Sequence, residues 1–91
     1  MNYKHLHYFW TVIHAGSIAR ASEPLHLTPQ TLSGQIKLLE ARLGRSLLRK
    51  VGRGLEPTGA GKLVMQYADG IFALGGELEA ALHSGRDGME I

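Results

Sequence analysis

The side chains best suited to chemistry in this chain are five histidines, and no cysteine accompanies them. Disulfides, zinc–thiolate sites and thiol catalysis are therefore excluded. His5 and His7 stand two positions apart, so on a helix their rings point in different directions, and the chain contains no His-Glu-x-x-His pattern. We therefore predict no metal site and interpret the histidines as core or solvated side chains.

A second candidate is the run Gly-Ala-Gly-Lys at residues 59–62, which is similar to the end of a phosphate-binding loop. The full pattern needs glycine at position 56 and serine or threonine at position 63, where this chain has Glu56 and Leu63. The start of a helix is the simpler interpretation. No Ser/His/Asp spacing indicates a nucleophile, and so small a core leaves no room for a substrate pocket. The sequence predicts neither an enzyme nor a bound cofactor.

The basic side chains are concentrated in the first part of the chain. Residues 1–57 carry eight lysines and arginines against three acids, a net charge of +5, whereas residues 58–91 carry two against five, a net charge of −3. The basic charge of residues 1–57 indicates a polyanionic partner for that part of the chain. The acidic charge of residues 58–91 indicates none for the rest.

The length and composition fit one small globular domain of 91 residues. The chain does not begin with a basic stretch followed by an apolar run, and no run approaches the roughly 20 apolar residues that span a bilayer. We expect no signal peptide, no membrane partner and a cytoplasmic location, which the absence of cysteine suits.

Two helices are predicted before residue 27. Leu6, Phe9, Trp10 and Ile13 recur at helical spacing over residues 3–14, and Gly16 follows in the position that favours a left-handed residue. Ser17 caps a second helix with inward positions at 18, 21 and 25. Because Pro24 interrupts its hydrogen bonding, we expect this helix to end by residue 25 or 26.

The third helix has the clearest start signal, with Thr28 as N-cap and Pro29 at the first helical position. Its buried stripe is predicted at residues 32, 36, 39 and 43, and Gly44 ends it. A set of polar or small residues falls off that stripe and faces outward, namely Gln30, Thr31, Ser33, Gly34 and Lys37.

Two short extended runs, at residues 47–51 and 55–57, flank Gly-Arg-Gly at residues 52–54. This pattern predicts a small β-hairpin with a basic turn. A lone hairpin is only marginally stable, so it must pack on the helices.

Thr58 caps a fourth, longer helix. Its apolar positions step by three and four, which is the spacing of a coiled-coil seam and predicts dimerisation: Val64, Tyr67, Ile71, Leu74, Leu78 and Ala81. The same face could instead pack back on its own domain. Leu63, Met65 and Phe72 lie off the seam and are expected to supply that internal packing, so a helix with two apolar faces predicts both contacts.

Helix, helix, helix, basic hairpin and long helix together form the pattern of a winged helix-turn-helix. In that arrangement the third helix enters the major groove of DNA while its partner helix supports it, and basic wing residues approach phosphates or the minor groove. A generic three-helix core with a solvated face has the same periodicity, and a winged-helix module that binds proteins and not DNA is the alternative function. The basic hairpin favours double-stranded DNA as the partner.

The residues also carry a family resemblance. The chain resembles the N-terminal domain of LysR-type transcriptional regulators over about residues 2–83, most clearly in the runs 16–22, 25–36, 38–44, 47–50, 52–54 and 57–61. The resemblance implies a bacterial protein with a longer parent chain, a C-terminal effector domain, dimerisation through the linker helix and tetramers of the full-length parent. Two departures stand out: Pro29 precedes Gln30 where the family often has the reverse, and Gly34 stands where it often has arginine.

We therefore predict a mainly α fold with three divisions. Residues 2–57 form the winged helix-turn-helix (helix-turn-helix about 18–37, wing about 47–57), residues 58–83 the linker and dimerisation helix, and residues 84–91 a tail toward the effector domain. The predicted DNA-binding residues are Thr28, Pro29, Gln30, Thr31, Ser33, Lys37, Arg49, Lys50 and Arg53. The predicted homodimer contacts are Val64, Tyr67, Ile71, Leu74 and Leu78.

Overall fold

Four helices and one hairpin follow one another in the predicted order. The computed structural model describes residues 1–85, so most of the predicted tail over residues 84–91 lies outside the described residues. The elements are α1 (Tyr3–Ala15), α2 (Ile18–Leu25), α3 (Pro29–Leu43), β1 (Leu48–Val51), β2 (Gly54–Pro57) and α4 (Gly59–His83). Across residues 1–85, none of these helices has the length and apolar character needed to cross a bilayer.

The helix boundaries are set by local hydrogen bonds, as the sequence predicts. The hydroxyls of Ser17, Thr28 and Thr58 each accept the backbone N–H three residues later, so all three predicted N-caps are confirmed. Gly16 and Gly44 take left-handed conformations, with φ of 90° and 72°, and end α1 and α3.

The end of α2 fixes the turn into α3. Pro24 is the next-to-last residue of α2, and the helix ends at Leu25, as predicted. His26 adopts a left-handed φ of 57°, which is uncommon for a residue with a side chain. Its strain is offset by hydrogen bonds from His26 N to Glu23 O and from Leu27 N to Ser22 O, both 3.1 Å.

The core consists of two adjoining clusters. One joins Leu6, Phe9, Leu39, Leu47 and Ala68, and the other joins Val12, Ala21, Leu32 and Ile36. The predicted inward stripe of α1 packs on the core, with Leu6 and Phe9 buried and Trp10 and Ile13 half-buried, but the prediction omits Val12, which is also buried. Val12 faces α2 and α3, and Trp10 lies at the contact with α4, so α1 buries a wider arc than one stripe.

The hairpin is antiparallel, with Arg49 opposite Glu56 and Lys50 opposite Leu55. Its two-residue turn is Gly52-Arg53, and Gly52 takes a φ of 60°. Positive φ at the first turn residue matches the twist of the flanking strands. Leu47, which the sequence places in the first strand, precedes β1 and is fully buried.

Helix α4 starts against the chain segment that leads into the hairpin. Thr58 N donates to Leu47 O (3.0 Å) and Thr58 Oγ1 donates to Ser46 O (2.6 Å). A Cβ at Gly61 would lie 2.1 Å from Leu47 O, so the two backbones touch there. The helical start predicted for the Gly-Ala-Gly-Lys run is thus confirmed, with Gly61 serving close packing.

Further along, α4 packs on α1 through Met65, Ala68 and Phe72. Trp10 Nε1 donates to Asp69 Oδ1 (2.7 Å) at the same contact. The expectation that Leu63 also packs inward is wrong, since it is 55% exposed. Leu63 lies on the same side of α4 as Tyr67, beside an apolar groove that Leu6 of α1 also lines.

Candidate nucleic-acid interface

The outward face of α3 carries every residue that the sequence predicts for base contact. Gln30, Thr31 and Lys37 are exposed and Ser33 is half-buried, while Thr28 and Pro29 lie exposed at the helix start. Leu32, Ile36 and Leu39 bury the opposite face. The apolar stripe therefore orients the helix and leaves its polar side chains toward solvent.

The first turn of α3 is preorganised by two threonines. Thr28 Oγ1 accepts from Thr31 N (3.1 Å) and donates to Thr31 Oγ1 (2.9 Å). The Thr28 hydroxyl is thus fully used within the cap. The Thr31 hydroxyl accepts that bond and keeps its own proton, so Thr31 can donate to an acceptor outside the protein.

A groove of about 530 Å³ separates α3 from the hairpin, and we call it the wing groove. Its lining residues come from α2, α3 and both strands: Ser17, Ile18, Ser33, Ile36, Lys37, Glu40, Ser46, Leu48, Arg49, Lys50, Arg53, Gly54 and Leu55. Four of them are basic, and Glu40 is the only acid. This concave, basic surface suits a polyanion that spans the helix and the hairpin.

Glu40 does not neutralise that surface by pairing with a base. Its Oε2 accepts from Leu47 N (2.7 Å) and Leu48 N (3.3 Å), where the chain enters β1. The carboxylate of α3 therefore holds the base of the hairpin. Sequence analysis did not single out Glu40, because nothing local shows that its side chain reaches a backbone seven residues away.

The three predicted basic wing residues are not equivalent. Arg49 Nε donates to Glu56 Oε1 (2.8 Å) across the hairpin, so the charge of Arg49 is matched within the wing. Among residues 1–85, neither Lys50 nor Arg53 lies within ion-pair distance of a carboxylate. Lys50 and Arg53 are thus the more available cations, and Arg53 occupies the tip.

Two of the three histidines of α1, His7 and His14, take part in the contact with α4. His7 stacks on Trp10 (ring centroids 5.6 Å apart) and meets the edge of Phe72 at 5.1 Å. His14 lies 4.5 Å from the Trp10 ring, with its Nε2 3.6 Å from Asp69 Oδ1. Within the described part of the chain, no group of three or more His, Cys, Asp or Glu side chains is placed to hold a metal.

The predicted seam on α4 forms an exposed apolar ribbon. Tyr67, Leu74 and Leu78 are 70%, 66% and 60% exposed, and Ile71 is 37% exposed. Val64 is half-buried and packs on the first core cluster. Three of these seam residues, Val64, Tyr67 and Ile71, also line a mainly apolar groove together with Met1, Leu6, Leu43 and Leu63. An exposed apolar surface of this length is typical of an interaction face.

Known proteins are similar to this chain in architecture and in sequence. The family model described as "Bacterial regulatory helix-turn-helix protein, lysR family" matches residues 3–62. The transcriptional activator protein NhaR of Escherichia coli K12 is 53% identical over 78 residues, which are 86% of this chain and 26% of NhaR. The nitrogen assimilation regulatory protein nac of the same strain is 36% identical over 84 residues, covering 92% of this chain and 28% of nac. The chain thus spans about a quarter of the length of these curated relatives.

Solved structures share the fold along almost the whole chain. The CbnR_DBD–DNA complex is 34% identical with a TM-score of 0.80, covering 94% of this chain and 99% of that one. The BenM_DBD/benA site 1 DNA complex is 31% identical with a TM-score of 0.80, and each chain is covered fully. The predicted fold class, a mainly α winged helix-turn-helix followed by a long helix, is confirmed.

Proposed function

The chain belongs to the lysR family of bacterial regulatory helix-turn-helix proteins, and on this premise we propose that it is the sequence-specific DNA-binding part of a bacterial transcription regulator. The observation that carries the proposal is the wing groove, where the polar face of α3 and the basic hairpin border one concave surface. The likeness to the CbnR and BenM structures with DNA supports it. The proposal needs no catalytic group and no cofactor.

In the proposed complex, α3 lies in the major groove with its N-terminal turn toward the bases. Gln30 presents an amide that can bind the edge of adenine through two hydrogen bonds, and Thr31 and Ser33 offer hydroxyls beside it. Lys37, one turn further on, contacts phosphate. Thr28 and Pro29 shape the helix start and bring it close to the DNA.

The wing supplies contacts that do not depend on sequence. Lys50 and Arg53 extend from the hairpin and reach phosphates or the minor groove. Arg49 contributes less to the affinity for the DNA backbone, because it is already paired with Glu56. The binding strength from these cations falls as salt concentration rises, since each phosphate contact releases counterions.

We propose that residues 2–57 form the DNA-binding unit and residues 58–83 the helix that pairs two copies. Tyr67, Ile71, Leu74 and Leu78 would be covered in such a pair, and each fully buried large aliphatic side chain contributes about 1.5–3 kcal/mol. In a pair related by a two-fold axis, each contact occurs twice. The same axis places the two copies of α3 on one face of the duplex. The DNA site is then an inverted repeat with half-sites about one helical turn apart.

The family resemblance further suggests antiparallel pairing of the linker helices, a tetrameric full-length parent and a cytoplasmic location, and these remain proposals. The alternative function, a protein-binding winged helix that does not contact DNA, gains no support from the structure. A protein-binding face would not need an uncompensated basic tip beside a polar helix.

A selection from randomised duplexes tests the proposal. The chain should enrich one motif, and its affinity should fall steeply with salt, with a slope near −0.9 for each phosphate contact. Gln30→Ala should relax the preference at one base position, worth about 1–3 kcal/mol of discrimination. Gln66→Ala is the matched control, because Gln66 is an exposed glutamine on α4. Failure to enrich a motif would contradict the proposal of sequence-specific DNA binding. Enrichment of the same motif by Gln30→Ala would contradict the proposed base contact of Gln30.

A further inference from the structure

Gly34 stands near the middle of α3 on its outward face, a position where glycine has no structural advantage. In a helix interior, glycine is less favourable than alanine. At Gly61 the touching backbone of Leu47 explains the glycine. A Cβ at Gly34, in contrast, would meet no neighbouring side chain or element within 4 Å. Nothing inside the protein therefore requires the missing side chain.

Gly34 lies in a shallow depression that is open to solvent, which we call the Gly34 hollow. It is lined by Ile18, Pro29, Gln30, Ser33, Gly34 and Lys37. Ile18 and Pro29 make part of its wall apolar, and Ile18 reaches it from the first turn of α2. Gln30 and Lys37 stand one turn before and after Gly34 on the same helix face. The hollow thus lies between the side chain proposed for base contact and the one proposed for phosphate contact.

We propose that the Gly34 hollow receives the C5-methyl group of a thymine and makes Gly34 a determinant of DNA specificity. Among the groups that the bases present in the major groove, the thymine methyl is the apolar one. Glycine lets the helix backbone approach a ligand closely, and at Gly34 no side chain stands between the backbone and a base. This inference rests on the proposed function, since it assumes that α3 lies in the major groove.

A phosphate is the competing occupant of the hollow. Gln30, Ser33 and Lys37 could donate to it, but the side chains of Ile18 and Pro29 have no donor, and the Pro29 nitrogen carries no hydrogen. An apolar methyl group suits these two side chains better than an anion does. The methyl group is therefore favoured.

The experiment replaces single thymines by deoxyuridine, which removes only the C5-methyl group. Sites are first selected from randomised duplexes with the 91-residue chain, and each thymine of the enriched motif is then replaced in turn. At one thymine in each half-site, the replacement should weaken binding roughly four-fold, the effect of one methylene-sized apolar group leaving a buried position. Replacement elsewhere in the site should change affinity by less than two-fold.

Gly34→Ala adds a methyl group at the point of the backbone that the thymine methyl would approach. This variant should lose the four-fold difference in affinity between the thymine site and the deoxyuridine site. It should bind the thymine site more weakly than the unmodified chain does. Its affinity for the deoxyuridine site should be close to that of the unmodified chain for the same deoxyuridine site. It should fold at least as stably, because alanine favours helix and its Cβ meets nothing. Gly70→Ala, which also adds a Cβ with nothing within 4 Å, is the matched control on α4 and should keep the original sensitivity.

The outcomes separate the two proposals. If the chain enriches a motif but no deoxyuridine weakens binding, or if Gly34→Ala keeps the sensitivity, the inference is wrong while DNA binding stands. If Gly34→Ala lowers the salt slope by about one unit, a phosphate occupies the hollow and the inference is overturned. If no motif is enriched, the proposed function itself fails, and the inference fails with it.

Discussion

Replacing Gly61 by alanine should break the contact that positions the long helix on the DNA-binding domain. The new Cβ would lie 2.1 Å from Leu47 O and 3.1 Å from the Leu47 carbonyl carbon, and both are backbone atoms that no rotamer change can move. Either the first turn of α4 or the segment before β1 must shift by about 1 Å. Both are packed, so the shift disturbs the buried Leu47 side chain as well.

The magnitude follows from the contacts at that point. Two hydrogen bonds from Thr58, to Ser46 O and Leu47 O, would lengthen, at about 0.5–1.5 kcal/mol each. Forcing an extra methyl group into a packed site costs about 1–3 kcal/mol more. Alanine returns about 1 kcal/mol through its helix propensity. We therefore expect a loss of about 1–5 kcal/mol in the free energy of unfolding, and a loss of about 3 kcal/mol would lower Tm by roughly 12–24 °C for a domain of this size.

Thermal unfolding followed by circular dichroism measures this effect. All variants are compared at one protein concentration, because the proposed pairing of chains would make Tm concentration-dependent. Gly70→Ala is the matched control on the same helix, since its Cβ would have nothing within 4 Å. It should raise stability by about 0.5–1 kcal/mol. If Gly61→Ala unfolds at or above the temperature of the unmodified chain, the close approach of α4 to Leu47 is refuted.

Three further predictions concern the interface and the seam. Glu40→Ala should destabilise the domain by about 2 kcal/mol in urea unfolding and weaken DNA binding, because two N–H groups entering β1 lose a charged acceptor. Glu40→Gln keeps an acceptor oxygen and should recover most of the loss, so equal losses would contradict this role. Arg53→Ala should lower the salt slope of DNA binding by about one unit in an anisotropy titration, and Arg49→Ala by less, because Arg49 already has a partner on the wing. An unchanged slope for Arg53→Ala would place that side chain in solvent. The double substitution Ile71→Glu and Leu74→Glu should prevent the proposed dimer from forming and leave the front domain folded, as measured by sedimentation at micromolar concentration. The pairing proposal is lost if the unmodified chain sediments as a monomer even on DNA.

The starts and ends of the helices were determined by the sequence alone. Ser17 and Thr28 each bond a backbone N–H three residues later, and Gly16 and Gly44 take conformations that suit glycine. Every one of these interactions lies within four residues along the chain. Residue type and spacing are therefore enough to predict them, and the outward face of α3 follows from the buried stripe on its other side.

Only the tertiary structure decided the contacts between elements far apart in the chain. The sequence of α4 shows two apolar faces. It does not show that Phe72 contacts α1 while Leu63 stays exposed. The reach of Glu40 to the base of the hairpin and the backbone contact at Gly61 depend on how α3, α4 and the segment between them are placed in space. Such contacts join residues that nothing local brings together, so their geometry is fixed only when the whole core packs.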